Sequence, residues 1–278
     1  MKKILPVLAI VLVFMLGLGV MLYPTIAEYV NARIQAKVID SYDSTAAEES
    51  RAYYEGLLQQ AQAFNEELST KGGLAILTPE EHDEYESLLN LNGDGVMGYI
   101  EIPRLELKLS IGHGTEEDVL QKMVGHIEGS SLPVGGESTH AVLSAHRGLP
   151  TAKLFSDLDL MQIGDRFMIH TLNQTLTYQV DQITVILPEE IEALAIEPGQ
   201  DYVTLMTCTP YAVNTHRLLV RGVRVENAEE TPEPETEEQP LDTRRLLQNV
   251  VLPATAGALF VTMTVLLLKV IRGGKRKK

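Results

Sequence analysis

Residues 201–225 read DYVTLMTCTPYAVNTHRLLVRGVRV, a stretch on which both the fold class and the question of function depend. Two apolar runs, at 201–207 and 217–225, predict β-strands, and eight residues (209–216) separate Cys208 from Arg217. If these strands pair as a hairpin, their facing ends bring Cys208 and Arg217 together. Cys208 is the only cysteine in 278 residues. A lone cysteine at the end of an apolar run is usually a small buried hydrophobe, so the thiol is either packed or a nucleophile.

Alternation of apolar and polar residues begins at Val96 and predicts strands from there onward. Further strands are predicted at 141–145, 166–170 and 175–186, and short helices at 116–124 and 152–161. Many short strands separated by small helices predict a mainly β fold, a barrel or sandwich of about 130 residues.

The segment before Val96 has a helical pattern. Residues 45–68 are amphipathic at helical spacing and predict one helix. A second helix is expected from Thr78 to Leu89, because Thr78 can cap it, Pro79 suits its first turn and Glu81 completes a capping box.

Two uncharged apolar segments predict membrane spans, since about 20 apolar residues cross the hydrocarbon core. The first covers residues 4–23 and follows Lys2 and Lys3; the second covers residues 246–268 and precedes a basic tail. Basic residues favour the cytoplasmic side, so both termini are expected in the cytoplasm. A cleaved signal peptide is the alternative for the first segment.

The expected organisation follows from these boundaries. Residues 1–3 are a cytoplasmic N-terminus, 4–23 an anchor, 24–95 an extracytoplasmic helical region, 96–226 the β domain, 227–245 an acidic Pro/Glu linker, 246–268 a second span and 269–278 a cytoplasmic tail. The linker is too acidic and proline-rich to bury a core, so it is expected to be extended.

Composition excludes several classes of function. The net charge is −15, and all 38 acidic residues lie between the two basic ends, which argues against a nucleic-acid partner. One cysteine excludes an internal disulfide framework. The seven histidines show no metal-ligand spacing, so no metal or organic cofactor is expected.

Three residues with complementary chemistry are expected at strand ends. His146 follows the strand at 141–145, as Cys208 follows 201–207 and Arg217 opens 217–225. A thiolate can attack a carbonyl, a histidine can move the proton, and a guanidinium can stabilise an oxyanion. His216 is a rival base, but as the neighbour of Arg217 on an extended chain it should face the opposite side.

Several motifs resemble those of the sortases, the membrane-anchored cysteine transpeptidases of Gram-positive bacteria. TLMTC (204–208) looks like the sortase TLxTC signature. SAHRGLPTAKLFSDLDLMQIGD (144–165) and CTPYAVNTHRLLVRG (208–222) resemble the histidine and cysteine-to-arginine segments of class C, the pilin-polymerising sortases. HIEGSSLPVGG (126–136) and LYPTIAEYVNARIQ (22–35) are also similar to that class.

This resemblance implies the eight-stranded sortase β-barrel with an added N-terminal helical region and two flanking transmembrane helices. By position it implies Cys208 as nucleophile, His146 as general acid and base, Arg217 as oxyanion stabiliser and Thr207 in a supporting role. The implied reaction cleaves an LPXTG-like sorting signal between Thr and Gly and transfers the acyl group to a lysine amine. The implied partners are pilin subunits that carry a sorting signal and an acceptor lysine.

One feature departs from the class. Class C members often carry a lid with an Asp-Pro-aromatic motif, but this chain contains no Asp-Pro dipeptide, and residues 70–95 hold other residues. The lid is therefore missing or built differently, and inhibition through that motif is not expected.

Three other functions are compatible with the sequence. The chain could anchor proteins to a cell-wall amine, or use water as a hydrolase, and the acceptor distinguishes these enzymes. It could instead be a non-catalytic membrane-tethered scaffold that binds pilins through its acidic surface, in which case Cys208 would be unreactive.

Overall fold

The computed structural model of the protein describes residues 5–48, 50–72 and 74–227. Residues 30–227 belong to one compact unit, and the described residues before Val30 belong to a second. The predicted second span and basic tail lie outside the described residues, as do residues 1–3 and all of the predicted linker except Asn227.

Three helices precede the β domain: α1 spans Leu5–Glu48, α2 spans Arg51–Lys71 and α3 spans Pro79–Ser87. The prediction of one helix over 45–68 is wrong, because the Ser50 side chain accepts a hydrogen bond from the Tyr53 amide and starts a new helix there. The predicted capping box at Thr78 and Glu81 is confirmed.

From Leu12 to Val30, α1 is largely apolar and exposed. The stretch Leu12–Ala47 contains a window long and apolar enough to cross a membrane, and none of that window is buried within the protein. An N-terminal signal sequence has the same character, so the helix is a candidate span on length and composition alone.

Eight strands close into a barrel, as the resemblance implied. They are β1 (Val96–Ile102), β2 (Leu107–His113), β3 (Val124–His126), β4 (Thr139–Ser144), β5 (Arg166–Thr171), β6 (Gln174–Ile186), β7 (Asp201–Thr209) and β8 (His216–Arg224). The order around the barrel is β1-β2-β3-β4-β7-β8-β6-β5. The pairs β2–β3 and β4–β7 are parallel, and the others are antiparallel.

Two predicted helices are shorter than expected. Of residues 116–124 only Glu117–Leu120 form a helix, α4, and Val124 begins β3. Of residues 152–161 only Leu158–Leu160 form a helical turn, of the 3₁₀ type. The physical reason is burial: apolar residues at irregular spacing in this segment all pack into the core (Ala152, Leu154, Phe155, Leu158 and Met161).

The barrel interior and the helical region share one core. Phe167 and Tyr178 stack inside the barrel with ring centroids 5.7 Å apart. Phe64 of α2 and Tyr85 of α3 belong to the same buried cluster. Asn65 fixes α2 further, since its amide donates to the Leu132 carbonyl at 3.0 Å and accepts from the Leu132 amide. The helices α2 and α3 are thus part of the folded domain, which makes the barrel wall a rigid support for its rim.

Candidate active site

The sheet register brings three predicted site residues to neighbouring strand ends. Cys208 of β7 is the cross-strand partner of Arg217 in β8. In the parallel β4–β7 pair, Ser144 stands opposite Met206, so continuing that register by two residues places His146 beside Cys208. Adjacent strands lie about 4.8 Å apart. His146 and Cys208 are separated by more than 60 residues in the sequence, yet the sheet places them at the ends of adjacent strands.

Alternation along β7 separates the packing residues from the thiol. Val203, Leu205 and Thr207 are buried, whereas Cys208 is only half-buried. The expected phase is confirmed, because successive side chains of a strand point to opposite faces. Cross-strand partners share a face, so Cys208 and Arg217 project to the same side of the sheet. The sole cysteine is accessible at a strand end instead of filling the core.

Thr207 ties the two parallel strand ends together. Its hydroxyl donates to the Ala145 carbonyl at 2.8 Å, and the Ala145 amide donates to the Met206 carbonyl at 3.2 Å. Ala145 directly precedes His146, and Thr207 directly precedes Cys208. A buried side-chain hydrogen bond therefore holds the residue before the histidine against the residue before the thiol.

Arg217 uses part of its hydrogen-bonding capacity on the β7–β8 connection. One guanidinium nitrogen, Nη1, donates to the carbonyls of Asn214 at 3.3 Å and His216 at 3.2 Å. A guanidinium carries five N–H donors, so it retains donors for a substrate oxygen. The rival base His216 pairs with Thr209 across the strands, and its Nδ1 lies 2.9 Å from the Thr215 hydroxyl.

Two side chains near His146 are not predicted by the sequence pattern. Glu117 of α4 places Oε2 3.8 Å from His146 Nε2, which is too long for a hydrogen bond. That nitrogen is itself inaccessible and has no hydrogen-bond partner among the described residues. The local sequence around Glu117 predicts only an exposed helix start. Its proximity to His146 depends on the tertiary fold.

Arg147 is the second such residue, and it joins the segment after His146 to the segment after Cys208. Its guanidinium donates to the Thr209 hydroxyl at 3.3 Å and to the Ser156 carbonyl at 3.2 Å, and it forms an ion pair with Asp159. Its Cζ also lies 5.9 Å from the ring centre of Tyr211. These contacts give Arg147 a structural role at the rim.

An apolar surface continues the face that carries Cys208 and Arg217. Met206 is two residues before Cys208, and Ile186 is the β6 partner of Arg217, so both share that face. This outer cluster has four buried members (Val142, Ile186, Leu194 and Leu219), against which Leu74, Ile127 and Met206 pack. Leu74 comes from the connection between α2 and α3, within residues 70–95, which lack an Asp-Pro dipeptide.

The β6–β7 connection, residues 187–200, is anchored next to this cluster. Arg221 of β8 forms ion pairs with Asp181 at 2.7 Å and Glu197 at 3.2 Å, and it lies over the Tyr202 ring at 4.1 Å. His140 Nδ1 is 2.9 Å from the Ala195 carbonyl, and burial lowers the pKa of this histidine. The connection is therefore held as a wall of the outer face.

The buried His126 serves the fold. Its Nε2 donates to the Ser131 carbonyl at 2.8 Å, and its Nδ1 is 3.0 Å from the Tyr85 hydroxyl. Burial lowers the pKa of His126 to about 4, which keeps the ring neutral at physiological pH. Within the described part of the chain, no group of three or more His, Cys, Asp or Glu side chains is arranged to hold a metal ion.

Comparisons with known proteins agree with this geometry. The sortase domain family model matches residues 100–225. The crystal structure of sortase C1 from Streptococcus agalactiae has a TM-score of 0.68 and 48% identity, covering 69% of this chain and 100% of that one. Sortase C of Streptococcus pneumoniae, whose structure is described as bearing on catalysis and pilin substrate specificity, has a TM-score of 0.62 and 46% identity, covering 69% of this chain and 98% of that one.

A curated relative gives the same family at lower identity. Sortase A of Streptococcus agalactiae serotype III (strain NEM316) is 31% identical over 131 residues, which cover 46% of this chain and 52% of that protein. The chain thus spans about half the length of this relative. The sortase domain match, residues 100–225, contains the strand ends that carry His146, Cys208 and Arg217.

Proposed function

The chain belongs to the sortase family, and we propose that it is a membrane-tethered class C sortase that joins pilin subunits through isopeptide bonds. The observation that carries this proposal is the row His146, Cys208 and Arg217 on the ends of three adjacent strands. The proposed topology places the catalytic domain outside the cell and both termini in the cytoplasm, with the exposed apolar part of α1 as one anchor.

In the first half-reaction, Cys208 attacks the carbonyl between Thr and Gly of an LPXTG-like sorting signal. Arg217, the cross-strand partner of Cys208, donates to the oxyanion that develops. One good donor of this kind contributes about 3–4 kcal/mol to transition-state stabilisation. His146 gives a proton to the leaving glycine amine, and a thioester on Cys208 remains.

The outer apolar cluster supports recognition of an extended peptide. Met206 and Ile186 lie on the face that carries Cys208 and Arg217, and the anchored 187–200 connection forms a wall beside them. An apolar floor with polar groups at one end suits a peptide whose apolar residues precede the scissile bond. Thr207 supports the site from behind through its bond to the Ala145 carbonyl.

In the second half-reaction, a lysine amine of another pilin attacks the thioester and gives the isopeptide bond. The likeness to sortase C structures, one of them described in terms of pilin substrate specificity, favours this acceptor. Transfer to a cell-wall amine is the second candidate, because any amine that reaches the thioester on Cys208 could resolve it. No step requires a metal or organic cofactor.

The first prediction concerns Cys208. In cells that carry the pilin substrate, Cys208→Ala should abolish the high-molecular-weight pilin ladder on denaturing gels, because no other thiol is present. Mass spectrometry of the full-length protein with a sorting peptide should find the acyl group on Cys208. Intact polymer from the variant would contradict the proposal. Acyl transfer to a wall-peptide mimic but not to pilin would favour the second candidate.

A further inference from the structure

The carboxylate of Glu117 has a defined position beside His146. Gln121, one turn later, donates its side-chain amide to Oε1, which leaves Oε2 3.8 Å from His146 Nε2. The Glu117 side chain is nevertheless 73% exposed. Among the described residues its only ion-pair partner is His146, so one side of the carboxylate meets the imidazole and the other meets solvent.

The short helix that carries Glu117 is packed tightly onto the barrel. A Cβ placed on Gly125 of β3 would come within 2.4 Å of the Gly114 carbonyl and 2.9 Å of Leu120 Cδ2. A Cβ on Gly112 of β2 would lie 3.2 Å from Val119 Cγ1. Glycine at both positions lets α4 approach this closely. The carboxylate is thus held by a rigid element at the rim, not by a freely moving loop.

Resolution of the thioester needs a nucleophile that arrives as a cation. A lysine side chain is an ammonium ion at neutral pH, and it must lose a proton before it can attack. A site for it must therefore combine a group that attracts positive charge with a base that can take the proton. Glu117 and His146 form such a combination. On the other side of Cys208, the positive charge of Arg217 would repel a cation.

We infer that Glu117 binds the ammonium group of the acceptor lysine and presents it to His146 for the second half-reaction. This inference rests on the proposed transpeptidase function and adds to it the side from which the acceptor enters. The donor peptide then lies on the outer apolar face, and the acceptor approaches past α4.

The step balances as follows. The lysine nitrogen forms a bond to the thioester carbonyl carbon as the bond between that carbon and Cys208 sulfur breaks. An ammonium nitrogen loses two protons on becoming an amide. His146 accepts one and releases it to solvent, and the other goes to the leaving sulfur, which regenerates the thiol. Glu117 keeps its charge throughout and pairs with the ammonium first and with the protonated imidazole afterwards.

The test separates the two half-reactions in the full-length protein in detergent. A synthetic LPXTG peptide loads Cys208, and mass spectrometry follows both the rate of loading and its loss to three nucleophiles: Nα-acetyl-lysine amide, hydroxylamine and water. Hydroxylamine is uncharged at neutral pH, so it reports on amine chemistry without the charge. Asp118→Asn is the matched control, because Asp118 is exposed on the same helix and forms no ion pair with a described residue.

Glu117→Gln should lower kcat/KM for the lysine compound about two- to fivefold, the range for an exposed ion pair. Transfer to hydroxylamine and water should fall less, and raising the salt concentration should narrow the difference between wild type and variant. Asp118→Asn should leave all three rates unchanged.

Two results would overturn the inference while the proposed function stands. Unchanged lysine transfer in Glu117→Gln would show that the carboxylate does not bind the acceptor. An equal loss for all three nucleophiles, together with slower loading, would show that Glu117 only orients His146. Absence of any thioester in the wild type would instead overturn the proposed function, and this inference with it.

Discussion

One histidine ends strand β3 and another follows the neighbouring strand β4, and the two differ in burial and in hydrogen bonding. His126 ends β3, is fully buried and has a partner for each ring nitrogen, the Ser131 carbonyl and the Tyr85 hydroxyl. His146 follows β4, keeps 31% of its side chain exposed and has an Nε2 without a hydrogen-bond partner among the described residues. Strands β3 and β4 pair directly, so the same part of the wall supports both.

The contrast separates the histidine that we propose transfers protons from one that stabilises the fold. Complete hydrogen bonding and burial fix His126 in one neutral form, so the ring cannot exchange protons with a substrate. His146 has unused capacity, lies beside Cys208 in register and has a carboxylate within 3.8 Å. A partly exposed ring with an unpaired nitrogen has capacity for proton transfer, whereas a fully hydrogen-bonded ring in the core gives stability.

The largest expected effect is the loss of activity when His146 is replaced. Loading of Cys208 by a sorting peptide should fall by on the order of 10²–10⁴ in His146→Ala, the usual contribution of a general acid–base group. The free energy of unfolding should change by less than about 0.5 kcal/mol, because Nε2 has no hydrogen bond to lose. His216→Ala is the control. Loss of activity in His216→Ala, with activity kept in His146→Ala, would contradict the proposed role of His146.

For His126 the expected effect is on stability and its pH dependence. Burial lowers the pKa of His126 from its usual 6.5 to about 4, so between these values the unfolded chain binds a proton that the folded chain does not. Stability is then complete above pH 6.5, falls as the pH falls and has lost about 3 kcal/mol near pH 4.

Urea unfolding followed by circular dichroism should detect this loss as a difference from His126→Gln. Glutamine keeps a donor for the Ser131 carbonyl but has no group that titrates in this range. Between pH 6.5 and pH 4 the free energy of unfolding should therefore fall by about 3 kcal/mol less in the variant than in the wild type. Equal slopes in the two proteins would mean that His126 is not held neutral.

Much of the fold was predictable because its pattern is local. Alternation from Val96 onward predicts the strands, and the hairpin of β7 and β8 follows from two apolar runs with a short connection. That hairpin pairing of Cys208 with Arg217 is confirmed. Thr78, Pro79 and Glu81 predict the start of α3 because a capping box is encoded within four residues.

The rest depends on contacts between distant residues. The three-residue β3 pairs in parallel with β2, and so short a strand has no periodicity to read. The parallel pairing of β4 with β7 sets His146 beside Cys208, and no local pattern encodes that register. Glu117 is part of an ordinary acidic helix start until α4 packs onto Gly112 and Gly125. The residue types of the site were visible in the sequence, but its neighbours were not.

The smallest expected effect concerns Leu74, whose side chain lies against the outer apolar cluster near Cys208. Leu74 packs against the outer apolar cluster, which extends the face of Cys208, and the Ala75 amide donates to the Gly129 carbonyl at 3.0 Å. This segment lies within residues 70–95, which hold no Asp-Pro dipeptide. Removing the Leu74 side chain should uncover part of the apolar floor, so Leu74→Ala should load Cys208 from a sorting peptide about two- to fivefold faster.

The neighbouring Ile76 supplies the control, because it belongs to the same connection but is 96% exposed. Ile76→Ala removes a similar apolar side chain that covers nothing, so its loading rate should equal that of the wild type. A rise in both variants would point to general loosening of the connection instead of uncovering of the cluster. A fall in Leu74→Ala alone would mean that Leu74 forms part of the peptide-binding surface, so that the rim around Cys208 and His146 is already open in the resting protein.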